Sequence, residues 1–145
     1  MSRDLEDLEP VTREMAWRLI GAAAVLGMEV YVVHTYRSEA EQDRLWRLGR
    51  NNAGEVVDRG AVVTNAEGGD SWHNYRRAID LAFEEIGGKP TWVEAREGDW
   101  NLLGLLGERC GMAWGGRTGV GTKGDMGHFQ FTDGMTIREA RYGGI

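Results

Sequence analysis

Apolar positions divide the chain into short elements of two periods. Between Val11 and Leu26, the residues Ala16, Leu19, Ile20 and Ala23 recur at three- and four-residue spacing, the stripe of an amphipathic helix, with Pro10 near its start and Gly27 near its stop. The stretch from Glu29 to His34 is short and β-branched, which predicts a strand. Ser38 followed by Glu41 has the form of a capping box, so a second helix opens there, carries Gln42, Leu45 and Leu48, and ends near Gly49. A polar, turn-rich loop follows, then a short strand over residues 61–64 and another loop to Asp70. From Ala78 to Phe83 the period becomes two: Ala78, Asp80 and Ala82 share one face, and Ile79, Leu81 and Phe83 the other. That predicts a strand with its bulky face in the core.

Helices are expected over residues 91–97 and 99–110, the second stopped by Gly111. The glycine-rich span 115–127 reads as a loop. His128 to Phe131 repeats the strand pattern, with His128 and Gln130 opposite Phe129 and Phe131. Thr136 with Glu139 opens a short closing helix. There is no internal repeat and no linker, so a single catalytic-sized domain over residues 1–145 is expected. Short strands and helices without regular βαβ alternation predict an α+β fold, a small and mainly antiparallel sheet flanked by helices.

Composition narrows the partners. The net charge of −6 argues against a nucleic-acid ligand and offers no polybasic membrane anchor. No run of about 20 apolar residues is present to span a bilayer. The acidic first ten residues lack the form of a secretory signal, so the expected location is the cytoplasm of the producing cell. A single cysteine, Cys110, excludes an internal disulfide and a thiolate metal cage; it falls in the apolar register of a helix and reads as an inert thiol.

The candidate chemistry lies with few residues. His73 stands seven positions before Asp80, and His128 three after Asp125. The strand pattern puts Asp80 between two alanines and His128 opposite Phe129, leaving room for an ion and a substrate. Two imidazoles and one carboxylate suit zinc better than calcium or magnesium, and leave a tetrahedral ion one open position for water. A water made acidic by the metal needs a carboxylate to take its proton, which Asp125 offers. Spacing alone leaves another reading open: with nine aspartates, a His–Asp pair at this separation arises by chance, His73 being a loop imidazole and Asp80 a strand-edge acid.

Longer segments add to that pattern. Ser71-Trp72-His73-Asn74-Tyr75-Arg76-Arg77-Ala78-Ile79-Asp80 resembles the S-x-H-x-x-G-x-A-x-D signature of VanY-type peptidases, a family of D-Ala-D-Ala carboxypeptidases and phage L-alanyl-D-glutamate endopeptidases. Tyr36-Arg37-Ser38 with Gln42 is similar to the family's Y-R-S-x-x-x-Q segment. Trp114-Gly115-Gly116 and Asp125-Met126-Gly127-His128-Phe129-Gln130 are similar to its W-G-G and D-x-x-H-F-Q segments. The resemblance implies a Hedgehog/DD-peptidase-like zinc fold. It implies one zinc held by His73, Asp80 and His128, with Asp125 as general base and Arg37 stabilising the oxyanion. One departure stands out: Arg76 occupies the family's glycine, so its side chain must point away from the site or narrow the groove.

Ser71, Trp114 and Gln42 are candidate substrate-binding residues, each with a structural alternative: a turn, core packing and a clamp. Trp72 is open between the same two readings, and His34 reads as a satisfied structural histidine. The expected function is that of an endolysin-like zinc endopeptidase cutting the L-Ala-D-Glu bond of peptidoglycan stem peptides. It would act as a monomer that waits in the cytoplasm until released to the wall, without a separate wall-binding domain. The alternatives are a D-Ala-D-Ala carboxypeptidase of the same family and a non-catalytic zinc-stabilised binding module, which would need neither Asp125 nor Arg37.

Overall fold

A computed structural model describes residues 1–84, 90–91, 97–117 and 124–143 of the chain. Helix α1 (Pro10–Val25) starts with proline at its first turn, where a missing N–H costs nothing, and the Glu9 side chain accepts from the N–H groups of Val11 and Thr12. Strand β1 (Val30–His34) leads into α2 (Glu39–Arg47), and the Ser38–Glu41 capping box is formed in both directions. The long strand β2 (Ala78–Glu84) follows, then β3 (Pro90–Thr91) and α3 (Glu97–Arg109). Strands β4 (Ala113–Trp114) and β5 (His128–Gln130) and helix α4 (Ile137–Arg141) complete the order, α4 being opened by a Thr136–Glu139 capping box.

Every ladder is antiparallel, in the order β1-β2-β5-β4, with β3 beside the far half of β2. The α+β expectation holds, and β2 is the strand on which the sheet depends. Ile79, Leu81 and Phe83 are fully buried and join Leu19, Trp100, Leu103 and Phe129 in the core. Ala78 and Ala82, on the opposite face, are buried too. Among the described residues no helix is long and apolar enough to cross a membrane.

Several local expectations give way. Residues 61–64 do not form a strand; a 3-10 turn at Arg59–Ala61, capped by the Asp58 carboxylate, takes the chain there instead. The helix expected over 91–97 falls mostly outside the described residues, and its first residue, Thr91, pairs with Phe83 in β3. The loop expected over 115–127 lies partly outside them as well. Cys110 is half-buried against the core, and desolvation raises its thiol above the ordinary value, in keeping with an unreactive group.

Helix α3 crosses the sheet at close range because its contact positions are glycines. A methyl group on Gly107 would sit 2.3 Å from Cε1 of Phe129, and one on Gly104 2.3 Å from the Trp114 indole. Gly107→Ala gains about 1 kcal/mol of helix propensity. Forcing apart a packed core costs about 1–3 kcal/mol, and a contact this short belongs at the upper end. The substitution should therefore lower the melting temperature by several degrees in a thermal scan. An unchanged or raised midpoint would show that α3 is free to move off the sheet.

Candidate active site

One rung of the sheet supplies most of the polar centre. Asp80 on β2 pairs with His34 of β1 on one side and with His128 of β5 on the other. Directly opposed residues project from the same face of a sheet, so the three side chains converge. A register irregularity between Val32 and His34 re-aims the end of β1 at this point. His73 enters from the loop before β2, on a 3-10 turn (Trp72–Tyr75) that the Ser71 side chain caps. The turn ends at Arg76 in the left-handed region (φ 61°), which explains the glycine of the S-x-H-x-x-G pattern. The Arg76 side chain points away from the groove: its guanidinium lies over the Tyr36 ring at 4.0 Å and donates to the Asp7 carbonyl at 2.8 Å.

The donor set is compact. His73 Nε2 lies 3.2 Å from Asp80 Oδ2, and His128 Nδ1 lies 3.1 Å from Asp80 Oδ1. One ligand atom from each of the three residues falls within 4.8 Å of the others. The far side of each ring fixes its tautomer. His73 Nδ1 is 2.8 Å from the Thr35 carbonyl, which can only accept, so Nδ1 carries the hydrogen and the Nε2 lone pair faces Asp80. His128 Nε2 is likewise 2.8 Å from Gln130 Oε1. A ring lone pair turned toward a carboxylate is repelled by it unless a proton or a metal ion lies between them, and outer hydrogen-bond partners of this kind are what orient metal-binding histidines. The three residues thus fit a divalent ion that prefers mixed nitrogen and oxygen ligands. His34 differs: its Nδ1 lies 3.1 Å from Asp80 Oδ2 and 3.5 Å from Arg37 Nη2, and with its hydrogen on Nδ1 it donates to the carboxylate.

These contacts set the charges. Burial pushes the Asp80 carboxyl up, but the charge of the His73 imidazolium and, with the rings carrying the intervening protons, hydrogen bonds from His128, His34 and His73 outweigh it and hold Asp80 well below the usual carboxylate range. Asp125 behaves oppositely. Partial desolvation raises its carboxyl, Asp80 adds repulsion, and His128, His73 and Arg37 oppose the rise without cancelling it. Burial draws the Arg37 guanidinium below its ordinary value, while Asp80, Glu41 and Asp125 act to raise it. Nη2 of Arg37 lies 3.8 Å from Asp80 Oδ2, Nη1 donates to Gln42 Oε1 at 2.9 Å, and Nε donates to the Met1 thioether.

His73, Asp80, His128, Arg37 and Asp125 all line one groove of about 900 Å³. Ser71 and Trp72 line it too, and Leu45, Val63 and Ala66 form part of its wall. Two candidates for substrate contact are displaced by the structure. Gln42 is fully buried behind Arg37, and its amide nitrogen donates to the Ala66 carbonyl at 2.8 Å. Trp114 is buried in the core, and its indole N–H donates to the Met126 carbonyl, bracing the turn that carries Asp125 and His128. The W-G-G glycine beside it has a steric cause: a methyl group on Gly115 would meet the Asp125 carbonyl at 2.3 Å.

Residues 6–103 match the family model described as VanY, D-alanyl-D-alanine carboxypeptidase. The chain belongs to this family. It is 35% identical over 116 residues to the peptidoglycan L-alanyl-D-glutamate endopeptidase CwlK of Bacillus subtilis (strain 168), a match spanning 76% of this chain and 66% of CwlK, slightly under two thirds of that relative's length. The fold is shared with the vancomycin-resistance D,D-pentapeptidase VanY solved with Zn(II), at TM-score 0.63 and 17% identity, covering 95% of this chain and 80% of that one. It is shared also with the L-Ala D-Glu endopeptidase ChiX of Serratia marcescens, at TM-score 0.54 and 22% identity, covering 88% and 83%. The family-model match stops short of Asp125 and His128, and the structural likeness carries the fold past that point.

The contacts that Gln130 and His34 make behind the donor set are not visible in the sequence, although His34 reads there as a satisfied structural histidine. Gln130 was recognisable as sharing a face with His128, and His34 as the end of a strand whose partner was unknown. The donor set predicts distinct losses. Replacing His73, Asp80 or His128 by Ala should abolish stoichiometric zinc binding. His34→Ala should weaken it roughly 10- to 100-fold, the usual effect of losing an outer-shell partner. Calorimetric titration with zinc decides; full affinity in His73→Ala, or abolition only in His34→Ala, contradicts the assignment.

Proposed function

We propose that the chain is a zinc-dependent peptidoglycan peptidase that hydrolyses the L-Ala-D-Glu bond of stem peptides, with His73, Asp80 and His128 holding one zinc. The observation that carries this reading is the donor set opening onto the same groove as Arg37 and Asp125. The choice of bond is supported by the 35% identity to CwlK, an L-alanyl-D-glutamate endopeptidase.

A zinc ion held by these residues supplies a Lewis acid that makes water a usable nucleophile near neutral pH. Asp125 takes the proton of the attacking water and returns it to the leaving amine. Desolvation raises its carboxyl, which favours its taking up a proton. Arg37 stabilises the oxygen that gains charge during attack; its guanidinium is permanently charged and already anchored through Nη1, so little is lost in ordering it. Gln130 and Thr35 keep the two imidazoles in the tautomers that face the site. The net charge of −6 argues against a nucleic-acid ligand, and we read the partner as the wall peptide, met by a monomer after release from the cytoplasm.

A D-Ala-D-Ala carboxypeptidase is the second reading, favoured by the description of the family model. Mass spectrometry of muropeptides after digestion of purified peptidoglycan separates the two. New L-alanyl termini and D-glutamyl amines support the endopeptidase; release of free D-alanine alone supports the carboxypeptidase; no cleavage by the zinc-loaded protein contradicts both.

Two substitutions test the roles. Arg37→Ala should bind zinc yet lose turnover by about 100- to 1000-fold, the usual cost of one oxyanion donor. Asp125→Asn keeps the shape but cannot accept the proton, so hydrolysis should collapse while zinc content and melting temperature stay near those of the parent. Retained turnover with a lowered melting temperature would make Asp125 a loop-capping residue instead.

A further inference from the structure

Arg37 and the metal-binding loop come from different parts of the chain, yet the chemistry proposed above needs them in fixed relation. The oxyanion cation must stand at a constant distance from His73. Two backbone connections hold it there. The Arg37 N–H donates to the His73 carbonyl at 3.1 Å. The Arg37 carbonyl in turn accepts from the Asn74 side-chain amide at 2.9 Å, so the next residue along the metal loop closes a second link to Arg37.

Asn74 uses its full hydrogen-bonding capacity. Its Nδ2 also reaches the Ser38 carbonyl at 3.4 Å, where α2 begins. Its Oδ1 accepts from the N–H groups of Gly69 at 3.0 Å and Ser71 at 3.2 Å. An amide offers two donors and two acceptor lone pairs, and here four partners from two separate segments take all of them. Ser71 lines the groove and caps the turn bearing His73; Arg37 and Ser38 lie between β1 and α2. No other side-chain type of this size can replace it. Aspartate lacks the donors, leucine lacks everything, and serine is too short to span both sides.

We infer that Asn74 is a positioning residue that sets the separation between the metal loop and Arg37. The inference rests on the catalytic reading of Arg37. It acts through the backbone: Asn74 neither touches the groove's donor atoms nor appears among the residues that line it. A misplacement of about 1 Å in a catalytic group costs on the order of 100-fold in rate, so a loosened Arg37 should lower turnover rather than binding.

Asn74→Asp is nearly isosteric and keeps the two acceptor contacts, but turns an oxygen without hydrogen toward the Arg37 and Ser38 carbonyls. The test is a double-mutant cycle with Arg37→Ala, read as kcat and KM on isolated muropeptides, together with amide hydrogen exchange of the zinc-loaded protein. The Asp variant should retain one zinc per chain, lose roughly 10- to 100-fold in kcat with KM little changed, and lose nothing further when Arg37 is already Ala. Exchange at the Arg37 amide should accelerate at least about tenfold while the Leu81 amide in β2 keeps its protection. An equal loss of kcat in both backgrounds, or an Arg37 amide exchanging as in the parent, overturns the inference. Where Asn74→Asp does not fold, Asn74→Ser is carried through the same cycle. A parent that cleaves no muropeptide refutes the proposed function, and the exchange result alone then decides whether Asn74 holds Arg37.

Discussion

The structure is organised around a carboxylate withdrawn from water and shared among three imidazoles. Asp80 sits in the middle of the longest strand, with His34, His73 and His128 all within 3.2 Å of its oxygens. Such a group is expensive to bury alone, and every neighbour bears on that cost. β1 contributes the donor of His34, β5 contributes His128, and the loop before β2 folds back to bring in His73. The sheet order follows from this requirement: β2 must be flanked by both β1 and β5 for the rung to form, and the crossing of α3 at Gly104 and Gly107 keeps the core beneath it thin and dense.

The same constraint separates the roles of Asp80 and Asp125. Asp80 is surrounded by groups that favour its charge and is held ionised, as a ligand should be. Asp125 lines the same groove just before a turn braced by Trp114, and desolvation raises its carboxyl above the ordinary aspartate value. Two carboxylates in one groove thus diverge in proton affinity through their surroundings alone. Arg37 is in electrostatic reach of both and is tied through Gln42 to the wall segment at Ala66.

Much of this could be read from the residues, for identifiable reasons. The alternation of Ile79, Leu81 and Phe83 against Asp80 was legible because β2 is long enough for a period of two to show. The capping boxes at Ser38 and Thr136 and the proline that starts α1 were legible because each acts within its own turn. What failed to show depends on contacts made at a distance. β3 and β4 are two residues each and carry no period. The turn at Trp72–Tyr75 is boxed by Ser71 and Asn74 rather than by the usual serine and glutamate, and Asn74's partners Arg37 and Ser38 lie far away in the chain. Gln42 and Trp114 stay open in the sequence between substrate contact and the structural roles, clamp and core, that the fold gives them. Membership of a motif does not say on which side of Arg37, or of the sheet, a side chain falls.

The central claim is that this rung is a metal site of defined composition, and anomalous X-ray diffraction at the zinc edge tests it most directly. Crystals of the zinc-loaded protein should show a single peak bonded to His73 Nε2, an Asp80 oxygen and His128 Nδ1 at about 2.0–2.2 Å, with His34 outside the coordination shell. A peak bonded to His34 in place of His73 or His128, or no peak at this rung when zinc is bound elsewhere, would contradict it.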